Sequence, residues 1–273
     1  MPSFDPGDGH LLHYDDTGTG RTVVLLHGWA CHAGYFAPQI HGLSDRFRVV
    51  APDLRGHRRS YRPGDTPDMA RLADDLRGLL DCVAPPAPVL VGWSMGALVA
   101  FEFLRRFGAG RIAGLAVVDM TPRIVNDAGW RLGLPGGYDA AQAERAQDLM
   151  RGHWTQWVAS FLPGVFAAGR DPDPALFAWI EAEMRTCDPE AMAALWRAIT
   201  AADYRPSVGS IAAPTLILRG AGSRLYGAET AAWLEAAIPG AEAAVIADAG
   251  HAPQLEQPGA FNRRLAQFAR RAG

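Results

Sequence analysis

Ser94 has the most informative chemical setting in the chain. It is the centre of Gly92-Trp93-Ser94-Met95-Gly96, with the apolar run 88–91 before it and a helix-forming segment, 97–107, directly after. Strand, tight turn, then helix is the order of a nucleophile elbow, in which a serine hydroxyl stands clear of a sheet. Glycine at both flanking positions suits that turn, because a β-carbon there would meet the neighbouring strand or helix. A serine alcohol is a weak nucleophile at neutral pH. The elbow therefore calls for a base to take its proton and for donors to hold the charge that forms on the attacked oxygen.

The elements that would position such groups read as alternating strands and helices. Residues 10–15 predict an edge strand, and the continuous apolar run 22–26 a strand buried on both faces. A helix over 36–43, a strand over 47–51 and a helix over 68–83 follow, the last with Met69, Leu72, Leu76, Leu79 and Leu80 on one stripe. After the elbow, 112–118 reads as another buried strand and ends at Asp119. The alternation then stops. Residues 121–207 carry no strand-like run and predict helices over 140–151, 154–161, 174–185 and 189–201, separated by Pro and Gly. It resumes with a strand at 215–218, a helix at 228–238, a strand at 243–246 and a last helix at 258–271. The expectation is an α/β core formed by 1–120 and 208–273, with 121–207 inserted as a helical cap.

Composition narrows the function classes. A chain of 273 residues, 49% hydrophobic, can bury a large core. The net charge of −3 gives no basic footprint for nucleic acid, and no apolar run reaches membrane-spanning length. Cys31, Cys82 and Cys187 are odd in number and scattered, fitting neither a disulfide framework nor a zinc site. Residues 1–8 lack the charged and apolar regions of a secretory leader, so a cytoplasmic protein with a small-molecule substrate is expected, without cofactor or metal and of undetermined oligomeric state.

Four motifs together resemble the α/β-hydrolase fold superfamily over nearly the whole length: His27-Gly28-Trp29, Pro52-Asp53-Leu54-Arg55-Gly56-His57, the elbow pentapeptide, and Gly250-His251 followed by Pro253 and Glu256. The resemblance implies a mostly parallel central sheet flanked by helices. It also implies that Ser94 is the nucleophile and that His251, in the turn after the last strand, is its base. The backbone N–H groups of Met95 and Trp29 would form the oxyanion hole. The acid departs from the common pattern. Many members carry it in a Gly-x-x-Asp turn after the strand that follows the cap, and here that turn reads Gly220-Ala221-Gly222-Ser223. Asp119, ending the strand after the elbow helix, is the expected substitute, a position that some members use. His27 is expected to brace the loop before the oxyanion hole, Asp53 to hold a turn, and Arg58 to be a solvated charge where relatives carry Gly.

The pocket is expected to involve Trp29, His32, Trp93, Trp154, Trp157 and Tyr226, because many aromatics over a serine suggest room for an apolar acyl or aromatic group. The favoured function is a cofactor-independent serine hydrolase acting on a small ester or related acyl compound through a Ser94–His251–Asp119 triad. Two alternatives are carried beside it. A cofactor-free dioxygenase of quinolone-type N-heteroaromatic rings would use a His–Asp pair as base, although Trp93 stands where those enzymes carry His. A ligand-binding protein that has lost its acid would show no turnover.

Overall fold

The computed structural model describes residues 2–272. Among them a single sheet contains β1 (Ser3–Phe4), β2 (Leu12–Thr17), β3 (Thr22–Leu26), β4 (Arg48–Pro52), β5 (Val89–Trp93), β6 (Gly114–Val118), β7 (Thr215–Gly220) and β8 (Glu242–Ile246). Their spatial order is β1-β2-β4-β3-β5-β6-β7-β8. The first two pairings are antiparallel and all the others parallel. Every residue of β3, β5 and β6 is buried, as their unbroken apolar runs require of strands covered on both faces.

Helices flank the sheet. α1 (Ala37–Leu43) follows β3, α2 (Met69–Val83) precedes β5, and α3 (Met95–Phe107) leads from β5 toward β6. Between β6 and β7 lie α4 (Ala140–Phe161), α5 (Pro174–Arg185), α6 (Pro189–Ala201) and the single turn α7 (Arg205–Val208). α8 (Ala228–Ala237) joins β7 to β8, and α9 (Pro253–Glu256) and α10 (Pro258–Arg271) complete the chain. α5 and α6 both start on Asp-Pro. The carboxylates of Asp173 and Asp188 accept first-turn N–H groups, and proline fills a position whose missing N–H costs nothing. The two helices expected over 140–151 and 154–161 form one element instead. It is interrupted only at His153 (φ −145°, ψ 46°), beside Gly152, where the sequence suggested a complete break.

This topology fixes where a site can form. Chain order reverses across the β3–β5 pair, and ligands of open parallel sheets collect at such a switch point, outside the carboxyl ends of the strands. Backbone strain gathers at the same edge. Of the seven described non-glycine residues with positive φ, Ala30, Arg58, Ser94, Asp119 and Asp248 follow β3, β4, β5, β6 and β8 respectively. Such conformations cost energy and persist where surrounding structure enforces them. Among the described residues no helix is long and apolar enough to cross a membrane.

Candidate active site

Ser94 stands at the tip of the turn between β5 and α3, at φ 53° and ψ −123°. Its N–H donates to the Val118 carbonyl at 3.0 Å and its carbonyl accepts from Ala97 at 2.8 Å, so the strained residue is anchored on both sides. The flanking glycines are sterically required. A β-carbon on Gly96 would lie 2.1 Å from the Leu26 carbonyl oxygen, and one on Gly92 would lie 2.4 Å from the Ala97 Cα. The hydroxyl is left at the amino terminus of α3, where the helix dipole favours negative charge.

His251 and Asp119 arrive from the carboxyl ends of β8 and β6, the strands on either side of β7. Asp119 directly follows β6 and His251 lies in the turn after β8, and both are buried. His251 Nδ1 lies 2.8 Å from Asp119 Oδ1. With that nitrogen donating, Nε2 is the basic position. Four hydrogen bonds set the histidine's turn. The Trp93 indole N–H donates to the His251 carbonyl at 2.7 Å, and the His251 N–H donates to Val165 at 2.8 Å. The Glu256 carboxylate accepts from Gly250 at 2.7 Å and Ala167 at 3.0 Å, and burial raises its pKa above the usual carboxylate value. Ser94 and His251 line one cavity, and among the described residues the Ser94 hydroxyl makes no hydrogen bond.

The loop after β3 carries the second amide of interest. Two buried, neutral histidines brace it. His27 Nε2 accepts from Leu54 at 2.9 Å, and His57 Nε2 accepts from Ala30 at 3.2 Å. Burial drives His27 well below its ordinary pKa and His57 down to about 4, so both nitrogens stay available as acceptors. Within this network Ala30 and Cys31 donate to His57 and Gly28, whereas the N–H groups of Trp29 and Met95 donate to nothing among the described residues. These are the two amides that the sequence singled out.

Ser94, His251 and the loop residues Gly28 and Trp29 share one cavity. Its walls include Trp29, Trp93 and Tyr226, together with Phe161, Met184 and Trp196 from the helical stretch, and no Asp, Glu, Lys or Arg side chain lines it. Burial, followed by the nearby Asp119 carboxylate, pushes the Tyr226 phenol far above its ordinary pKa, keeping it a neutral donor. Three expected pocket residues lie elsewhere. His32 faces an outer cleft and contacts Glu183 at 3.2 Å. Trp154 turns its indole N–H onto the Met184 carbonyl at 3.1 Å and packs edge-on behind Trp29. Trp157 packs edge-on against Trp196 and does not line the cavity. Both indoles support the wall and neither forms it. Phe161, Met184 and Trp196 were missed because nothing local to a helical aromatic or thioether says which layer it joins.

Other expectations divide similarly. Asp53 holds a turn, accepting from Ala33 at 2.8 Å and from Arg59. Arg58 is not simply solvated, since it holds a left-handed φ of 45° and pairs with Glu183 of α5.

A doubly flanked parallel sheet with an elbow serine facing a histidine–aspartate pair at its carboxyl edge defines an α/β hydrolase. The sequence pattern of the alpha/beta hydrolase family matches residues 23–264, and the chain belongs to that family. It is 29% identical to a pimeloyl-[acyl-carrier protein] methyl ester esterase of Nitrosospira multiformis, over 95% of this chain and 98% of the relative. The protein of that description from Stenotrophomonas maltophilia is 32% identical, over 89% and 91%. Among solved structures, a thermophilic esterase from Thermogutta terrifontis superposes with a TM-score of 0.84 at 28% identity, covering 96% and 94% of the two chains. An esterase from Exiguobacterium antarcticum, at 21% identity and a TM-score of 0.91, shares the fold.

Proposed function

We propose that this protein is a cofactor-independent serine hydrolase of carboxylic esters with an apolar or aromatic group, and that residues 121–207 form the cap over its site. The observation that carries the reading is the 2.8 Å contact of Asp119 with His251, on the cavity that Ser94 also lines. In this reading Ser94 Oγ attacks the ester carbonyl as its proton passes to His251 Nε2. The Trp29 and Met95 amides hold the oxyanion. The protonated His251 returns that proton to the departing alcohol, leaving an acyl-serine. Water, deprotonated by His251, then attacks the acyl carbon, and Ser94 recovers its proton as the carboxylic acid leaves. Asp119 keeps the imidazole in the productive tautomer and stabilises its cation throughout.

The esterase names of the relatives and the uncharged walls both favour this chemistry, and burying a carboxylate against such walls without a partner would be costly. Methyl and p-nitrophenyl esters of unbranched acyl chains are therefore the first substrates to test. A fluorophosphonate probe is expected to label Ser94 and to spare S94A, with p-nitrophenyl ester turnover lost in that variant. Failure to label folded protein would refute the reading. Oxygen uptake with a hydroxyquinolone in place of ester turnover would favour the dioxygenase.

A further inference from the structure

The turn that lacks the expected acid is not idle. Ser223 Oγ donates to Asp119 Oδ1 at 2.8 Å, the same carboxylate oxygen that His251 Nδ1 contacts at 2.8 Å. The Gly220 N–H, from the end of β7, approaches the other oxygen at 3.2 Å. Ser223 Oγ also accepts from Leu225 at 3.4 Å and Tyr226 at 3.3 Å, which aims its single proton at Asp119. Asp119 itself sits at a φ of 44°, an uncommon conformation for any residue but glycine, so its own backbone does not hold the carboxylate at a relaxed position. The carboxylate is instead held from outside by the turn that follows the adjacent strand.

We infer that Ser223 is a positioning residue for Asp119: the turn vacated by the usual acid supplies the hydroxyl that orients the relocated one. The inference rests on the proposed triad. Its chemistry is specific. A hydroxyl donating to Oδ1 draws charge from the oxygen facing His251 and fixes the plane of the carboxylate, so it affects both the angle and the strength of the His251 contact. The other titratable groups facing this pair are Tyr226, which packs against the His251 ring at 5.8 Å between centroids, and Glu256, which holds Gly250. Neither accepts the Ser223 proton.

The test uses p-nitrophenyl butyrate with S223A, S223T, D119N and the D119N/S223A double variant, each checked for an unchanged melting temperature. S223A is expected to lower kcat about tenfold with little change in KM, the size expected for one hydrogen bond to a charged group. The acidic limb of its kcat/KM profile is expected to move to higher pH, because Oδ1 regains the charge that the hydroxyl had drawn off. S223T is expected to recover most of the activity and the original profile. In the D119N background, S223A is expected to cost clearly less than it does in the parent, since the charged carboxylate that Ser223 orients is gone. An unmoved profile, or losses that multiply in the double variant, would overturn the inference while leaving the triad intact. A D119N variant as active as the parent would overturn the triad reading itself.

Discussion

Replacing Asp119 by Asn keeps shape and removes charge. The carboxylate lies against His251 Nδ1 at 2.8 Å, in a buried site that Ser223 and the Gly220 N–H complete. An amide has one oxygen for these three donors. If that oxygen faces His251, the new NH2 group opposes the Gly220 N–H. If the amide is flipped, His251 Nδ1 must become the acceptor, its proton moves to Nε2, and the base disappears. Even the better orientation loses the charge that stabilises the imidazolium formed as Ser94 attacks. Two unit charges about 4 Å apart at an effective dielectric near 20 interact by about 4 kcal/mol. At about 1.4 kcal/mol per decade, that is roughly a thousandfold in rate. The wrong tautomer extends the loss toward ten-thousandfold, as the corresponding change does in a serine protease. The expected result for D119N is therefore a fall in kcat/KM for p-nitrophenyl butyrate of between about 10³ and 10⁴, read as the rate of the acylation burst in stopped flow. Circular dichroism and the melting temperature establish that the variant is folded. A folded D119N enzyme that acylates within tenfold of the parent rate would refute this reasoning, because Asp119 would then serve only to tie strand ends together.

Trp93→Phe keeps the ring and removes the indole donor to the His251 carbonyl, so a five- to tenfold fall in kcat with unchanged fluorophosphonate stoichiometry is expected, consistent with about 1 kcal/mol for one neutral hydrogen bond. Met184→Ala enlarges the apolar wall and is expected to move the optimum in a p-nitrophenyl acyl series toward longer chains, at about 2–5 kcal/mol in stability measured by urea unfolding. Acid should loosen the loop after β3 before it titrates ordinary surface carboxylates. His57 falls from 6.5 to about 4 on folding because burial disfavours its cation. Its folded value is the lower one, so its contribution is complete above pH 6.5 and is lost as the pH drops toward 4, by on the order of 3 kcal/mol. His27 shifts in the same direction. Urea midpoints measured between pH 7 and pH 4 should fall more steeply for the parent than for H57Q, and parallel slopes would contradict the assignment.

Local signals carried most of the architecture. The buried strands announced themselves as apolar runs, α5 and α6 as Asp-Pro starts, and the elbow as two glycines whose β-carbons have no room. The carboxylate that contacts His251 could also be located, because Asp119 ends an apolar run. Pocket walls were less legible for a physical reason. Trp154, Trp157 or Val158, and Phe161 recur at helical spacing along one side of α4, so periodicity gives them a common fate. In the folded protein one residue of that side lines the cavity and the others pack elsewhere. Of α4, only the carboxyl-terminal Phe161 lines it, while the Trp154 indole donates to the Met184 carbonyl and Trp157 packs edge-on against Trp196. Which turn of a helix meets a cavity depends on how α4 and α6 stack, and no local residue pattern encodes that.

The same distinction explains why position 223 looked empty. From the sequence, Ser223 stands at an expected acid position more than a hundred residues from Asp119, the proposed substitute. In the sheet, β6 and β7 are parallel neighbours in register, Val118 opposite Leu218, so the residues that leave their carboxyl ends emerge side by side above His251. A carboxylate can leave one of these turns and reappear in the other without the histidine moving far, provided the vacated position keeps a hydrogen-bond partner for it. Ser223 meets that condition, whereas alanine there would leave Oδ1 with His251 as its one side-chain donor. The distance that matters is thus the spacing of adjacent strands, near 4.8 Å, and not the stretch of chain between them.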